Sequence, residues 1–120
     1  MTRLAVLLLC TASVAYAAPP PGTDLNSDEH PWWECQYQKG GASCCGSADG
    51  MVLEDDQWRP VGSGYQVFLR GAWWDVPDEA IVKPQCGPEP NVENRAKAKV
   101  WFQGMSDGVR IFCFETGTLF

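Results

Sequence analysis

The residues of this 120-residue chain whose types invite chemistry are six cysteines and a single histidine. Cys44 and Cys45 are adjacent, which raises a redox or metal-binding reading. A redox pair normally uses C-x-x-C spacing and a zinc site uses two such knuckles with histidine; this chain has no C-x-x-C, and its only histidine is His30. Partnership with distant cysteines in disulfides is the better-supported role. A thiol- or metal-handling protein, in which Cys44 and Cys45 act with a third cysteine on copper(I) or zinc, is the alternative. Asp49, Glu54, Asp55 and Asp56 lack the D-x-D-x-D frame and distal glutamate of a calcium loop and read as solvated turn residues. No cofactor is therefore expected. His30 precedes Pro31, and the chain contains no G-x-S-x-G, H-E-x-x-H or P-loop pattern. Catalysis is not expected; an envelope hydrolase built on His30 is the remaining enzymatic reading.

Which cysteines matter depends on the first residues. Arg3, the apolar run from Leu4 to Leu9 and the small residues from Thr11 to Ala18 form the pattern of an export signal over residues 1–17. A cut between Ala17 and Ala18 leaves 103 of the 120 residues and removes Cys10. Five cysteines stay: Cys35, Cys44, Cys45, Cys86 and Cys113. In an oxidising compartment an odd number predicts two disulfides and one left over, and a core of this size benefits from such staples. A bond from the Cys44/Cys45 pair to Cys113 would close most of the domain, with about 4 kcal/mol of chain-entropy stabilisation. Spacing alone does not give the pairing.

Losing Arg3 takes the formal net charge from −6 to −7, which repels polyanions. Nucleic acid and anionic membrane surfaces are disfavoured as partners. The apolar run is shorter than the ~20 residues a spanning helix needs, so no membrane span is expected. A composition of 45% hydrophobic and 20% charged residues is globular. The expected organisation is a signal over 1–17, a flexible Pro-rich arm over 18–27 and a single small β domain over 28–120.

Within that domain, Ser27 or Asp28 caps a short helix running through Trp32 and Trp33 to about Tyr37, with Gly40 and Gly41 beyond it. Asp49-Gly50 is a turn signal, and segments around Val52 and Trp58 read as strands separated by an acidic turn. From Gly64 to Val76, two alternating aromatic and β-branched runs flank Arg70-Gly71 and predict a tight hairpin. A two-residue turn pairs Leu69 with Ala72, Phe68 with Trp73, Val67 with Trp74 and Gln66 with Asp75. Tyr65, Val67, Leu69, Ala72, Trp74 and Val76 then face the core. A second hairpin over Ala96 to Gln103 and Val109 to Phe114, with a four-residue connection, pairs Phe102 with Ile111, Trp101 with Phe112 and Val100 with Cys113. Trp101, Phe112, Phe114, Lys97, Lys99 and Arg110 fall on its outer side. Pro77 to Val82 suits one helical turn, and Cys86 tethers the Pro-rich stretch after it. The fold class is mainly β: five to six short strands in a small antiparallel sheet, curled into an SH3-like barrel or left open and covered by the one short N-terminal helix, and stabilised by disulfides.

These registers put Phe68, Trp73, Trp101 and Phe112 on outer faces. Aromatics beside Gln66, Arg70, Asp75, Lys99 and Gln103 would form a platform for an extended peptide or a cell-envelope glycan. The competing reading is that the helix with Trp32 and Trp33, or the connection over 77–95, packs over them as a second core layer, since exposed apolar patches of that size are uncommon on monomers. Burial of both Trp73 and Trp101 would remove the platform.

The stretches His30-Pro31-Trp32-Trp33, Ser43-Cys44-Cys45-Gly46-Ser47-Ala48-Asp49, Gly71-Ala72-Trp73-Trp74-Asp75-Val76-Pro77 and Ile111-Phe112-Cys113-Phe114 resemble small exported proteins of alphaproteobacteria, of the rhizobial type. Their S-C-C-x-x-x-D motif and C-terminal C-F element are the more specific marks. Those proteins often carry cysteine directly after the motif aspartate, where this chain has Gly50, so no disulfide pattern is carried over. The resemblance implies a Gram-negative envelope location and supplies no activity. The functional expectation is an exported, non-enzymatic domain that binds a protein or an envelope glycan through an aromatic sheet face.

Overall fold

The computed structural model describes Pro20, Thr23 and residues 26–44, 49–83 and 86–118. The expected signal, most of the Pro-rich lead and Cys45 lie outside the described residues. One short helix, α1 (Glu29–Glu34), is followed by β1 (Asp49–Leu53), β2 (Trp58–Val61), β3 (Gly64–Leu69), β4 (Ala72–Asp75), β5 (Ala98–Met105) and β6 (Gly108–Glu115). Single 3-10 turns occupy Asp55–Gln57, Asp78–Ala80 and Val92–Asn94. Among the described residues, the mainly β, disulfide-stabilised fold with one helix is as expected, but the six strands divide between two antiparallel sheets, ordered β1-β5-β6 and β2-β3-β4.

The two sheets pack face to face over a shared interior that includes Leu53, Val100 and Phe114 from one and Trp58, Val67 and Leu69 from the other. The far face of β1-β5-β6 is covered by α1 and the segment after Cys86, enclosing Trp32, Trp33, Trp101 and Cys113. The middle strand β5 is thus buried on both sides over residues 98–101. Its alternation sends Ala98 and Val100 into the first interior and Lys99 and Trp101 toward the second.

The β3-β4 hairpin has the expected register throughout, but Ala72, expected in the core, is exposed beside the turn while its partner Leu69 is buried. Arg70 and Gly71 have φ of 53° and 79°, the two left-handed residues that a two-residue turn matched to strand twist requires. The second hairpin departs from expectation in three ways. Its strands run on to a two-residue turn at Ser106 and Asp107 rather than a four-residue connection. Phe102 pairs with Ile111 as expected, but Trp101 pairs with Cys113 and Val100 with Phe114, because Phe112 is skipped by a β-bulge. One extra residue inverts the facing of everything beyond it. Cys113 therefore shares the face of Trp101, and Phe114 turns inward against Trp58 and Tyr65, with ring centroids 5.9 and 5.3 Å apart. Lys99, Trp101 and Phe114, expected on an outer side, are all buried.

Helix α1 stops at Glu34, short of Tyr37 and well before the glycines; Tyr37 instead bridges to Ser43. Ser27 Oγ accepts the Glu29 N–H at 3.3 Å at its start, whereas Asp28 makes no side-chain cap. Asp49 and Gly50 begin β1 instead of forming a turn. Gly50 is required there by close approach: a β-carbon would come within 2.6 and 2.7 Å of two ring carbons of Trp33.

Candidate functional site

Among the described residues, the cysteines form two disulfides, Cys35 with Cys86 and Cys44 with Cys113. The first ties the end of α1 to the segment that roofs the β1-β5-β6 sheet. The second joins the chain leading into β1 to the bulged part of β6, and both its residues are fully buried. The bulge is what brings Cys113 to Cys44, because in the unbulged register Cys113 would share the face of Val100, toward the other sheet. A thiolate role for Cys44 requires first reducing this enclosed bond. No helix among the described residues is long and apolar enough to cross a membrane. Among the described residues, no three His, Cys, Asp or Glu side chains converge as metal ligands. His30 is paired with Glu34 at 2.9 Å along the helix.

The four aromatics expected on outer faces do not share one surface. Trp101 is fully buried beneath Trp33, with centroids 5.0 Å apart, so the helix does cover that half of the predicted platform. Phe112 is half-buried under the guanidinium of Arg110, 4.7 Å above its ring, and lines a groove of about 400 Å³ between the two sheets. Phe68 and Trp73 remain together at the surface, on the outer face of β2-β3-β4. Phe68 is 37% exposed, and Trp73 is half-buried at 5.4 Å from it, edge to face.

That outer face is built in two rungs. Cross-strand pairing places Arg59, Gln66 and Asp75 in one row over three strands and Phe68 and Trp73 in the next. The polar row is a continuous ladder: Arg59 donates to Gln66 Oε1 through both Nε and Nη2, at 3.0 and 2.8 Å, and Gln66 Nε2 donates to Asp75 Oδ1 at 2.8 Å. The Arg59 guanidinium also lies 3.9 Å above the Trp73 ring, a cation stacked on an aromatic face. Beyond the aromatic row an open cleft of about 410 Å³ is lined by Phe68, Trp73, Glu54, Asp56 and Gln57. Glu54 and Gln57 form a reciprocal capping box, with the Glu54 N–H donating to Gln57 Oε1 at 2.9 Å, which fixes the conformation of the acidic turn.

Gln66 and Asp75 were expected beside the aromatics and are there. Arg70 and Lys99 are not. The Arg70 guanidinium lies against Gly104 in the other hairpin, where a β-carbon would overlap it. Arg59, Glu54 and Asp56 are members of the site that sequence reasoning missed. For Arg59 the signal is its place next to Trp58, which becomes informative only once β2 is paired to β3, and nothing in the acidic run itself marks Glu54 and Asp56 as facing the aromatics.

Lys99 belongs to a buried ionic group under the roof. Its Nζ lies 2.6 Å from Glu89 Oε2 and donates to the carbonyls of Asn94 and Lys97 at 2.8 and 2.9 Å. Glu115, directly across the ladder on β6, turns a buried Oε2 toward this group without a hydrogen-bond partner. Burial pushes the Glu89 carboxyl above its ordinary range, and the hydrogen bond and charge of Lys99 pull it back only in part. Burial also raises Glu115, which Lys99 opposes and Glu89 reinforces. A carboxyl whose folded pKa exceeds its unfolded one costs stability as pH rises from about 4.5 through the folded value. Glu115→Gln is therefore expected to stabilise the domain at pH 8, with the advantage shrinking toward pH 4.5. Urea unfolding of both proteins across that range checks it; a pH-independent difference would contradict the assignment.

Comparison with protein families, curated proteins and solved structures returns no match for this chain. The reading of the site rests on its own geometry.

Proposed function

We infer that this chain is an exported, non-enzymatic binding domain of a Gram-negative envelope, stapled by its disulfides, which takes a polypeptide partner on the outer face of β2-β3-β4. Export is supported by the signal-like first residues and by two disulfides, which persist in oxidising compartments. The observation that carries the binding reading is the surface pair Phe68 and Trp73, set beside a polar row whose side chains are already positioned by one another. Aromatic residues flanked by preorganised polar groups are the usual make-up of a recognition centre.

A polypeptide is favoured over a glycan by one contact. Sugar rings stack on open aromatic faces, whereas the Arg59 guanidinium occupies a face of Trp73 and Phe68 meets Trp73 edge to face. What this surface offers is ring edges, the exposed part of Phe68 and an acidic lip, which suit side chains of a protein. Selection of a displayed random-peptide library on the immobilised domain tests this. Peptides enriched on the wild type are expected to bind Phe68→Ala/Trp73→Ala at least about tenfold more weakly, a loss of about 1.4 kcal/mol. Equal binding to the double variant, or saturable binding of chitin oligosaccharides in place of peptides, would overturn the reading.

A further inference from the structure

We propose that the cleft between the Phe68-Trp73 pair and the Glu54-to-Gln57 turn seats the cationic side chain of a lysine or arginine presented by the polypeptide partner. The proposal rests on the binding face inferred above and names what that face selects.

Opposite walls of the cleft differ in chemistry. One is aromatic, from Phe68 and Trp73; the other is carboxylate and amide, from Glu54, Asp56 and Gln57. An aliphatic stem packs against ring edges while its charged head reaches carboxylates, the way long basic side chains divide their contacts. Asp56 is exposed and has no ion pair among the described residues, so its charge is available to a ligand. Glu54 lines the cleft with a carboxylate shared between Lys97 at 3.1 Å and the Gln57 N–H, and its side chain is still 65% exposed. The capping box holds this acidic wall in place before any ligand arrives, which lowers the ordering cost of binding. The protein has already placed one cation on this aromatic pair, since Arg59 lies over Trp73. The formal net charge of −6 attracts basic segments and repels acidic ones over longer range.

Fluorescence anisotropy with a labelled peptide of alternating lysine and glycine, a matching peptide of glutamate and glycine, and a labelled chitin oligosaccharide tests this on the folded, disulfide-bonded protein. The basic peptide is expected to bind saturably and the acidic one not at all. Glu54→Gln/Asp56→Asn is expected to weaken the basic peptide about tenfold, and Asp56→Asn alone several-fold. Phe68→Ala should weaken it comparably at 0.5 M salt, where long-range attraction is screened to a few ångströms. Glu79→Gln/Glu93→Gln, which removes two exposed carboxylates elsewhere, is expected to change binding less than about twofold. An equal loss in that control would show attraction by net charge alone and overturn the cleft. If library-selected neutral peptides bind through Phe68 and Trp73 while the basic peptide does not, the cation proposal falls and the binding face survives. If neither binds, both fall. Saturable binding of the oligosaccharide that depends on Trp73 overturns the polypeptide partner as well.

Discussion

Replacing Cys44 and Cys113 together by alanine is expected to lower the unfolding free energy by about 4 kcal/mol. The bond closes a loop of 69 residues, so its removal restores to the unfolded chain the freedom that loop had lost. Both positions are fully buried among Trp33, Trp101 and Val82, where alanine introduces no polar group. The loss should therefore come chiefly from the missing cross-link, with a smaller addition from the sulfur volume. Against the 5–15 kcal/mol typical of a small domain, this is a large fraction of the whole. The Cys35-Cys86 bond spans 51 residues and gives a similar entropy on paper. Its removal is expected to cost less, because the roof segment would regain freedom in the folded state too, held then by the Lys99–Glu89 ion pair and the Trp32 Nε1 hydrogen bond to the Gly87 carbonyl at 3.2 Å. Urea unfolding of the two double variants gives the comparison. A Cys44/Cys113 loss below about 1 kcal/mol, or one no larger than that of Cys35/Cys86, would contradict this account.

The same bond shows where sequence reasoning stops. The β3-β4 hairpin was legible because each of its cues is local: Arg70-Gly71 for the turn and an unbroken alternation on either side. The β5-β6 hairpin was legible only up to Phe102 and Ile111. Nothing in Phe112-Cys113-Phe114 marks which residue the ladder skips. That choice is made by distant demands, Cys44 waiting on one face and the space beside Trp58 and Tyr65 on the other. Lys99 misled for a related reason. Lysine alternating with Lys97 reads as a wet edge, and although the 77–95 connection is one candidate cover, its Pro-rich sequence has no periodicity to show which face it covers. Of the proposed recognition face, Phe68, Trp73, Gln66 and Asp75 were visible, being set by one hairpin. Arg59 and the acidic wall depend on how a neighbouring strand and its preceding turn pack, which is tertiary information.

Lys99→Ala is expected to destabilise the domain by about 3–5 kcal/mol at neutral pH, the range found when one partner of a buried ion pair is removed. The reason is what stays behind. Glu89 has a side chain only 2% exposed, with Glu115 close by and its Oε2 also buried, so the variant would bury two carboxylates without their common cation. The Lys97 carbonyl would lose the Lys99 donor as well, and the Asn94 carbonyl one of its two, keeping the Lys97 N–H. Glu89→Gln on top of Lys99→Ala should recover part of the loss, since a neutral amide is far cheaper to bury than an unpaired charge. The pH dependence has a definite sign. Without Lys99, both carboxyls are held further above their ordinary range, so the folded state binds more protons than the unfolded one from about pH 4.5 upward. The deficit of Lys99→Ala is therefore expected to shrink as pH falls from 8 to 5. A double-mutant cycle in urea at both pH values reads all of this at once. A deficit below about 1 kcal/mol that is the same at both pH values would mean that the roof opens and lets water reach Glu89, and the buried ionic group would then hold nothing in place.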